Sequence, residues 1–540
     1  MIYTITSQIL LTIYTLILGS SILILTKISM PNAFQRVGAA YFFGLIYLIS
    51  SVRLAEYLLG DAKVSFLIVF ATSLILVYKK FTSFKGYYGK ITAKLLFFQL
   101  LVTVTLFVFL YIFWANPEAK TDDPFASIGT LHSVRYAWIS DFINHNNYIP
   151  ILQQNTGQSI LLYINLLTGS QHPFLSLSLW LTSSIYMLGM FLFGLFRTSF
   201  NWRESLLSSI VFVVGQNTLS FSHILTLDSG SPILINGYTD TIVGIFSVLF
   251  IFKIAKELTQ TNYKYKSYGL LTLLICSNFL VAPQNVVLLV CMLGLVILIP
   301  GLRPWRTNIF LGVFASLALS FSLMIPLGGM LTPSVLTSDL EEPGLMKVSR
   351  AVGVEGHIRM VPGIAFHYGW SGQWRDGLQD LYSFKAGTGG GFDDPKFRDR
   401  IVWNIEQIFV TSLRLFFFTL VGLFYLALSP AKSKNFGVTV KKGIYRLDTQ
   451  VVGSVGLILF LIGFSVNFLF SFNGYKWELT RFMIPATTLG AVGMALFIAE
   501  LLQSRHRNLR LAGVLLLIFA VTPPIVNILL VCYANLQVML

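Results

Sequence analysis

Apolar residues in this chain gather into long runs separated by short polar stretches. Each run is near the roughly 20 residues that a helix needs to cross hydrocarbon. Fourteen such runs can be read, at about 6–28, 38–59, 63–79, 93–115, 173–197, 204–222, 238–257, 267–281, 284–300, 306–327, 403–428, 451–472, 480–502 and 511–532. A shorter apolar piece, 159–167, reads as re-entrant or interfacial. The runs 267–281 and 284–300, broken at Ala282-Pro283-Gln284, also read as one kinked hairpin. The expected fold class is therefore an all-α polytopic membrane protein with about fourteen transmembrane helices.

Composition agrees. Of 540 residues, 55% are hydrophobic and 11% charged, and the mean hydropathy is +0.72. Soluble domains carry about 25% charged residues. The first run lacks a basic start and a clear small-residue cleavage site, so it reads as a span and not as a removable leader. Cys276, Cys291 and Cys532 lie in or beside apolar runs and form no spaced framework for disulfides or a thiolate metal site.

Basic residues set the orientation. Lys79, Lys80, Lys85, Lys90 and Lys94 share one loop, and Arg197 and Arg203 the next on that side. Lys253, Lys256, Lys264 and Lys266 follow. Then come Arg303 and Arg306, then Lys432, Lys434, Lys441, Lys442 and Arg446, and finally Arg505, Arg507 and Arg510. Fourteen crossings place all six clusters on one face, taken as cytoplasmic, and both ends of the chain outside. The net charge of +15 is largely this topology signal together with headgroup contact. Nucleic acid is not needed to explain it.

The opposite face carries the titratable chemistry. Six of the seven histidines fall there, His506 being the exception. Its first large loop, 116–172, opens with Asp122 and Asp123 just past a span. An amphipathic run from Phe125 to Asn147 follows, in which Ile128, Leu131, Val134, Trp138, Ile139 and Phe142 recur near helical spacing around His132, Arg135 and Asp141. That pattern predicts a helix lying in the membrane interface. The acid pair reads either as a cap for that helix or as a reactive carboxylate site.

The second large loop, 328–402, interleaves aromatics with polar side chains: His357, Arg359, His367, Trp370, Trp374, Arg375 and Asp376. Such a set can stack on a sugar and bond its hydroxyls, or anchor the loop at the interface. The run Gly387-Thr388-Gly389-Gly390-Gly391 lacks the Lys-Ser/Thr of a nucleotide loop and reads as a flexible lid. Lys476 and Arg481 lie at the outer end of another span. They suit a lipid phosphate or snorkelling to the interface. Arg53 and Glu56 are spaced to pair within one span, and no His spacing suggests zinc.

Leaving aside the first three runs, the order of spans resembles that of the GT-C glycosyltransferases. One crossing at 93–115 is followed by an outside loop with acidic residues and an interfacial helix, then six further spans and a second large outside loop. The string Asp122-Asp123-Pro124…His132-Ser133-Val134-Arg135…Ile149-Pro150…Gly157-Gln158-Ser159…Leu162-Tyr163 looks like that family's first loop.

The resemblance implies a three-helix extension (1–92), a GT-C-like module (93–428) and a C-terminal three-helix region (429–540). It implies a polyprenyl-phosphate-linked sugar as donor, with a lipid, glycan or protein as acceptor. Asp122 or Asp123 would be the catalytic base or the ligand of magnesium or manganese. His132, Arg135, His357, Arg359, His367, Trp370, Trp374 and Arg375 would bind substrate, and Lys476 and Arg481 the lipid phosphate. The expected location is the bacterial plasma membrane, with the active face outside. Three alternatives remain open at this point: an O-antigen polymerase- or ligase-like enzyme, a lipid-linked-sugar transporter, and a non-catalytic subunit on the same scaffold.

Overall fold

Two asparagines mark where apolar sequence turns into helix. Asn32 Oδ1 accepts the backbone N–H of Phe34 at 2.9 Å. Asn201 Oδ1 accepts those of Arg203 and Glu204 at 3.1 and 3.3 Å. Each satisfies donors that the first helical turn leaves without an intrahelical partner. In the computed structural model the residues described are 2–26, 28, 30, 32–59, 62–80, 104–108, 173–197, 201–215, 242–250, 264–281, 311, 314–315, 318, 413–428, 449–469 and 484–539.

The described elements are all α-helical. They are α1 (Ile2–Thr26), α2 (Ala33–Leu59), α3 (Ala62–Lys80), α4 (Pro173–Phe196), α5 (Trp202–Gly215), α6 (Lys264–Val281), α7 (Leu413–Leu428), α8 (Thr449–Leu469), α9 (Ile484–Gln503) and α10 (Arg507–Met539), with a further helical stretch at 242–250. Among the described residues, three segments are long and apolar enough to cross a membrane: Ile5–Thr26, Ala33–Val52 and Ile484–Gln503. The chain is thus of the helical membrane-protein class. Ten of the fourteen expected runs coincide with a named helix and an eleventh with 242–250, while 284–300 lies outside the described residues.

Helices in lipid gain little from burying apolar surface against one another, so close backbone approach and side-chain hydrogen bonds hold them together. The α1–α2 pair is built that way. Gly19 lies against Ala40 and Gly44, and a Cβ there would stand 2.6 Å from Gly44 N; Gly44 in turn meets Thr15. As α1 advances from 15 to 19, α2 recedes from 44 to 40, so the pair is antiparallel.

The same reasoning orients α4. Gly194 packs on Gln35, Gly38 on Met187 and Phe191, and Tyr41 Oη lies 2.9 Å from Ser184 Oγ. Hence α4 is antiparallel to α2. The step from Leu59 to Ala62 returns α3 antiparallel to α2 as well. Phe42, Phe43, Phe191, Phe246 and Phe250 fill the space between α2, α4 and 242–250, with ring centroids 4.5 to 6.3 Å apart.

The C-terminal helices pack through glycine. Gly422 on α7 meets Gly490 and Met494 on α9, and Gly490 meets Thr419, its hypothetical Cβ 2.6 Å from Thr419 Cα. These contacts rise together along both helices, so α7 and α9 are parallel. Gly453 and Gly456 on α8 meet Ala427 and Leu423, which makes α8 antiparallel to α7. Gly513 seats α10 against Leu501 and Leu502. Short α5 joins the two groups, touching α4 on one side and α9 and α10 on the other. Ser208 Oγ donates to the Ala495 carbonyl at 3.3 Å.

Candidate functional site

Hydroxyl groups are the commonest polar side chains inside the described helices, and most are satisfied locally. Thr12 donates to the Gln8 carbonyl at 2.8 Å, Ser21 to Ile17 at 3.0 Å, Ser209 to Ser205 at 2.8 Å and Ser247 to Val243 at 2.7 Å. This bonding to the preceding turn lets Ser and Thr sit in an apolar environment without an orphaned O–H. A few groups reach further. Thr12 and Ser183 hydroxyls lie 3.4 Å apart, Tyr14 bonds Ser73, and Asn278 Nδ2 donates to Ser247 Oγ at 2.8 Å.

The polar side chains recorded as buried among the described residues are Ser, Thr, Gln or Asn, while the partly buried Arg36 and Glu204 each carry a buried polar atom, Nε and Oε2. A row of the neutral groups can lock helix register but supplies neither a general base nor a cation for phosphate. Sequence reading did not single out the Tyr41–Ser184 and Asn278–Ser247 pairs. Their signal is an isolated polar residue within an apolar run, which names a position and not its partner.

One set of charged residues collects at one end of the N-terminal helices, while Arg53 and Glu56 late in α2 and Lys63 at the start of α3 fall toward the other. Arg36 is in the first turn of α2, Lys79 and Lys80 end α3, Arg197 follows α4, and Arg203 opens α5. Because α2 is antiparallel to α1, α3 and α4, and α5 turns back from α4, all of these sit at a single end. Arg505, Arg507 and Arg510 gather at the turn between α9 and α10. Trp202, half exposed, lies among them.

Helices α3 and α4 run in the same direction, so Lys80, which ends α3, and Pro173, which opens α4, stand at opposite ends of the N-terminal helices. The expected span at 93–115 and the loop 116–172 fall between them in sequence, an interval of which the structure describes only 104–108, as helix.

All twelve candidate residues lie outside the described residues: Asp122, Asp123, His132, Arg135, His357, Arg359, His367, Trp370, Trp374, Arg375, Lys476 and Arg481. The next helices along the chain are described. Helix α4 starts just after the first loop, α7 after the second, and α9 three residues after Arg481. Among the described residues no group of three or more His, Cys, Asp or Glu gathers to hold a metal ion. Asp122 and Asp123, the magnesium or manganese ligands implied by the resemblance, lie outside that set. No family model, curated protein or solved structure matches the chain.

Proposed function

We propose that this chain is a membrane glycosyltransferase of GT-C type with about fourteen crossings. It transfers a sugar from a polyprenyl-phosphate donor to a lipid, glycan or protein acceptor at the outer face of a bacterial plasma membrane. The observation that carries the proposal is positional. In the sequence the pair Asp122–Asp123 follows the expected span 93–115 by a few residues and precedes an amphipathic run expected to lie in the interface, on the face expected opposite the basic ends of α3, α4 and α5. The parallel course of α3 and α4 supports that reading, since it sets Lys80 and Pro173 at opposite ends of the N-terminal helices.

The chemistry asks for a carboxylate and a cation on the same face. The acceptor hydroxyl oxygen attacks the anomeric carbon, and the bond from that carbon to the lipid phosphate oxygen breaks. The electron pair leaves with the phosphate, and the acceptor proton passes to a base. Asp122 or Asp123 takes the proton, or holds the divalent cation that stabilises the leaving phosphate, magnesium or manganese. Lys476 and Arg481 neutralise the lipid phosphate as charge develops on it. His132, Arg135, Arg359 and Arg375 bond substrate hydroxyls and phosphate, and His357, His367, Trp370 and Trp374 shape the sugar pocket.

The test is complementation of a deletion strain with Asp122→Asn, Asp123→Asn and the double variant, each matched for membrane expression. Lipid-linked and surface glycans are then profiled by mass spectrometry. The proposal expects a glycan that disappears in the deletion strain and in at least one Asp variant. A deletion that alters no glycan, or Asp variants that restore it fully, would overturn the assignment. A polymerase- or ligase-like enzyme would instead lose activity with Arg359 or His367 while tolerating both Asp substitutions.

A further inference from the structure

One face of α10 is exposed along most of its length, and its two ends differ in chemistry. Arg507 and Arg510 open the face, and Leu511, Val514, Leu515, Ile518, Ile525, Val526, Leu529 and Tyr533 continue it at spacings of three, four and seven residues. Gly513 and Ala520, both buried, lie on the other face, with Gly513 set against α9. Arg505 and His506 stand exposed in the turn just before the helix. That turn is fixed: Ser504 N donates to the Leu501 carbonyl at 3.1 Å, His506 N to Ser504 Oγ at 3.2 Å and Arg510 N to the His506 carbonyl at 3.1 Å. Residues 501–540 contain no Asp or Glu, and Glu500, exposed in the last turn of α9, is the nearest carboxylate in sequence.

We propose that this face of α10 is a binding surface for an anionic phospholipid of the basic-side leaflet. Arg505, Arg507 and Arg510 hold the headgroup phosphate, and Leu511, Val514, Leu515 and Ile518 lie along the acyl chains. Charge complementarity selects the occupant. Three guanidiniums with no acid beside them on α10 match phosphate by charge and by fork geometry, and cations at this depth attract anionic headgroups. A second copy of the chain suits the face poorly. The close helix approaches described above run through glycines, Gly19, Gly44, Gly422 and Gly490 among them, whereas the exposed α10 face carries large aliphatic side chains. A parallel pairing of copies would also set like charges against each other. The proposal rests on the chain lying in a membrane and is independent of the glycosyltransferase reading.

The test is native mass spectrometry of the purified full chain released from mixed micelles of phosphatidylglycerol and phosphatidylcholine. The wild type is expected to retain phosphatidylglycerol about tenfold over phosphatidylcholine. Substituting R505Q, R507Q and R510Q together should bring that ratio close to one, while K79Q with K80Q, at the end of α3, leaves it unchanged. Should the triple variant fail to fold, the wild type itself decides: raising salt to about 1 M, where the screening length is about 3 Å, must collapse the preference, and R510Q alone must lower it severalfold. No preference in the wild type, a preference that survives in the triple variant or in high salt, or a lipid-free dimer lost on Leu515→Arg, would each overturn the proposal.

Discussion

The α1–α2–α4 group and the α7–α8–α9 group meet the same difficulty by different means. Lipid is as apolar as leucine, so helices inside it need some other reason to associate. In the C-terminal group that reason is proximity. Gly422, Gly453, Gly456, Gly490 and Gly493 let backbones touch where a methyl group has no room. The N-terminal group uses glycine too, at Gly19, Gly38 and Gly44, and adds a phenyl cluster and interhelical hydroxyl bonds such as Tyr41–Ser184. The first device depends mainly on shape, with the ring pairs Phe416–Phe460 and Tyr425–Phe497 beside it. The second spreads the same task over several weaker interactions, so single changes there should cost less.

That contrast can be broken in a graded way. Gly490→Leu is expected to have the largest effect, since the α7–α9 backbones would have to separate. Overpacking of that kind costs about 3 kcal/mol or more, and size-exclusion profiles in detergent should show loss of the monodisperse peak. Phe246→Ala removes the ring at the centre of the phenyl cluster and is expected to cost about 3 kcal/mol, read as a lowered unfolding midpoint with the folded peak retained. Asn278→Leu breaks the bond to Ser247 and should cost about 1 kcal/mol. Tyr41→Phe, which keeps the ring and loses only the Ser184 bond, should cost about 0.6 kcal/mol, the average for such bonds in a membrane, measurable by steric trapping in bilayer discs. A Tyr41→Phe effect as large as that of Gly490→Leu would erase the distinction between the two groups.

Much of the helical framework was legible in the sequence, because hydropathy reports burial in lipid directly. Runs expected at 6–28, 63–79 and 173–197 meet helices whose ends differ by a few residues. The misses have physical causes. Helix α2 begins at Ala33, five residues before its apolar run, because Asn32 caps it ahead of the polar pair Gln35–Arg36. Helix α10 continues through Pro523 and Pro524 to Met539, whereas the apolar run ends at about 532. Hydropathy does not register caps, and it does not indicate which helices touch. The spacing of Ala40 and Gly44 on α2, and of Thr15 and Gly19 on α1, holds that information, and it is readable only once a partner is known. The site is a different case. Asp122, Asp123 and the other ten candidate residues stand out by residue type and by position beyond expected span ends, and they lie outside the described residues. Their assignment therefore rests on sequence, helped by the directions of the helices that flank them.

The account depends most on a division of faces, with basic turns on one side of the membrane and the acid and aromatic loops on the other. Single cysteines at Asp122, His357 and Arg507, each in a background with Cys276, Cys291 and Cys532 replaced by Ser, would test it in intact cells with a membrane-impermeant maleimide. The account predicts labelling of Asp122→Cys and His357→Cys without permeabilisation, and of Arg507→Cys only after it. Labelling of Arg507→Cys in intact cells, or protection of Asp122→Cys until the membrane is opened, would contradict it.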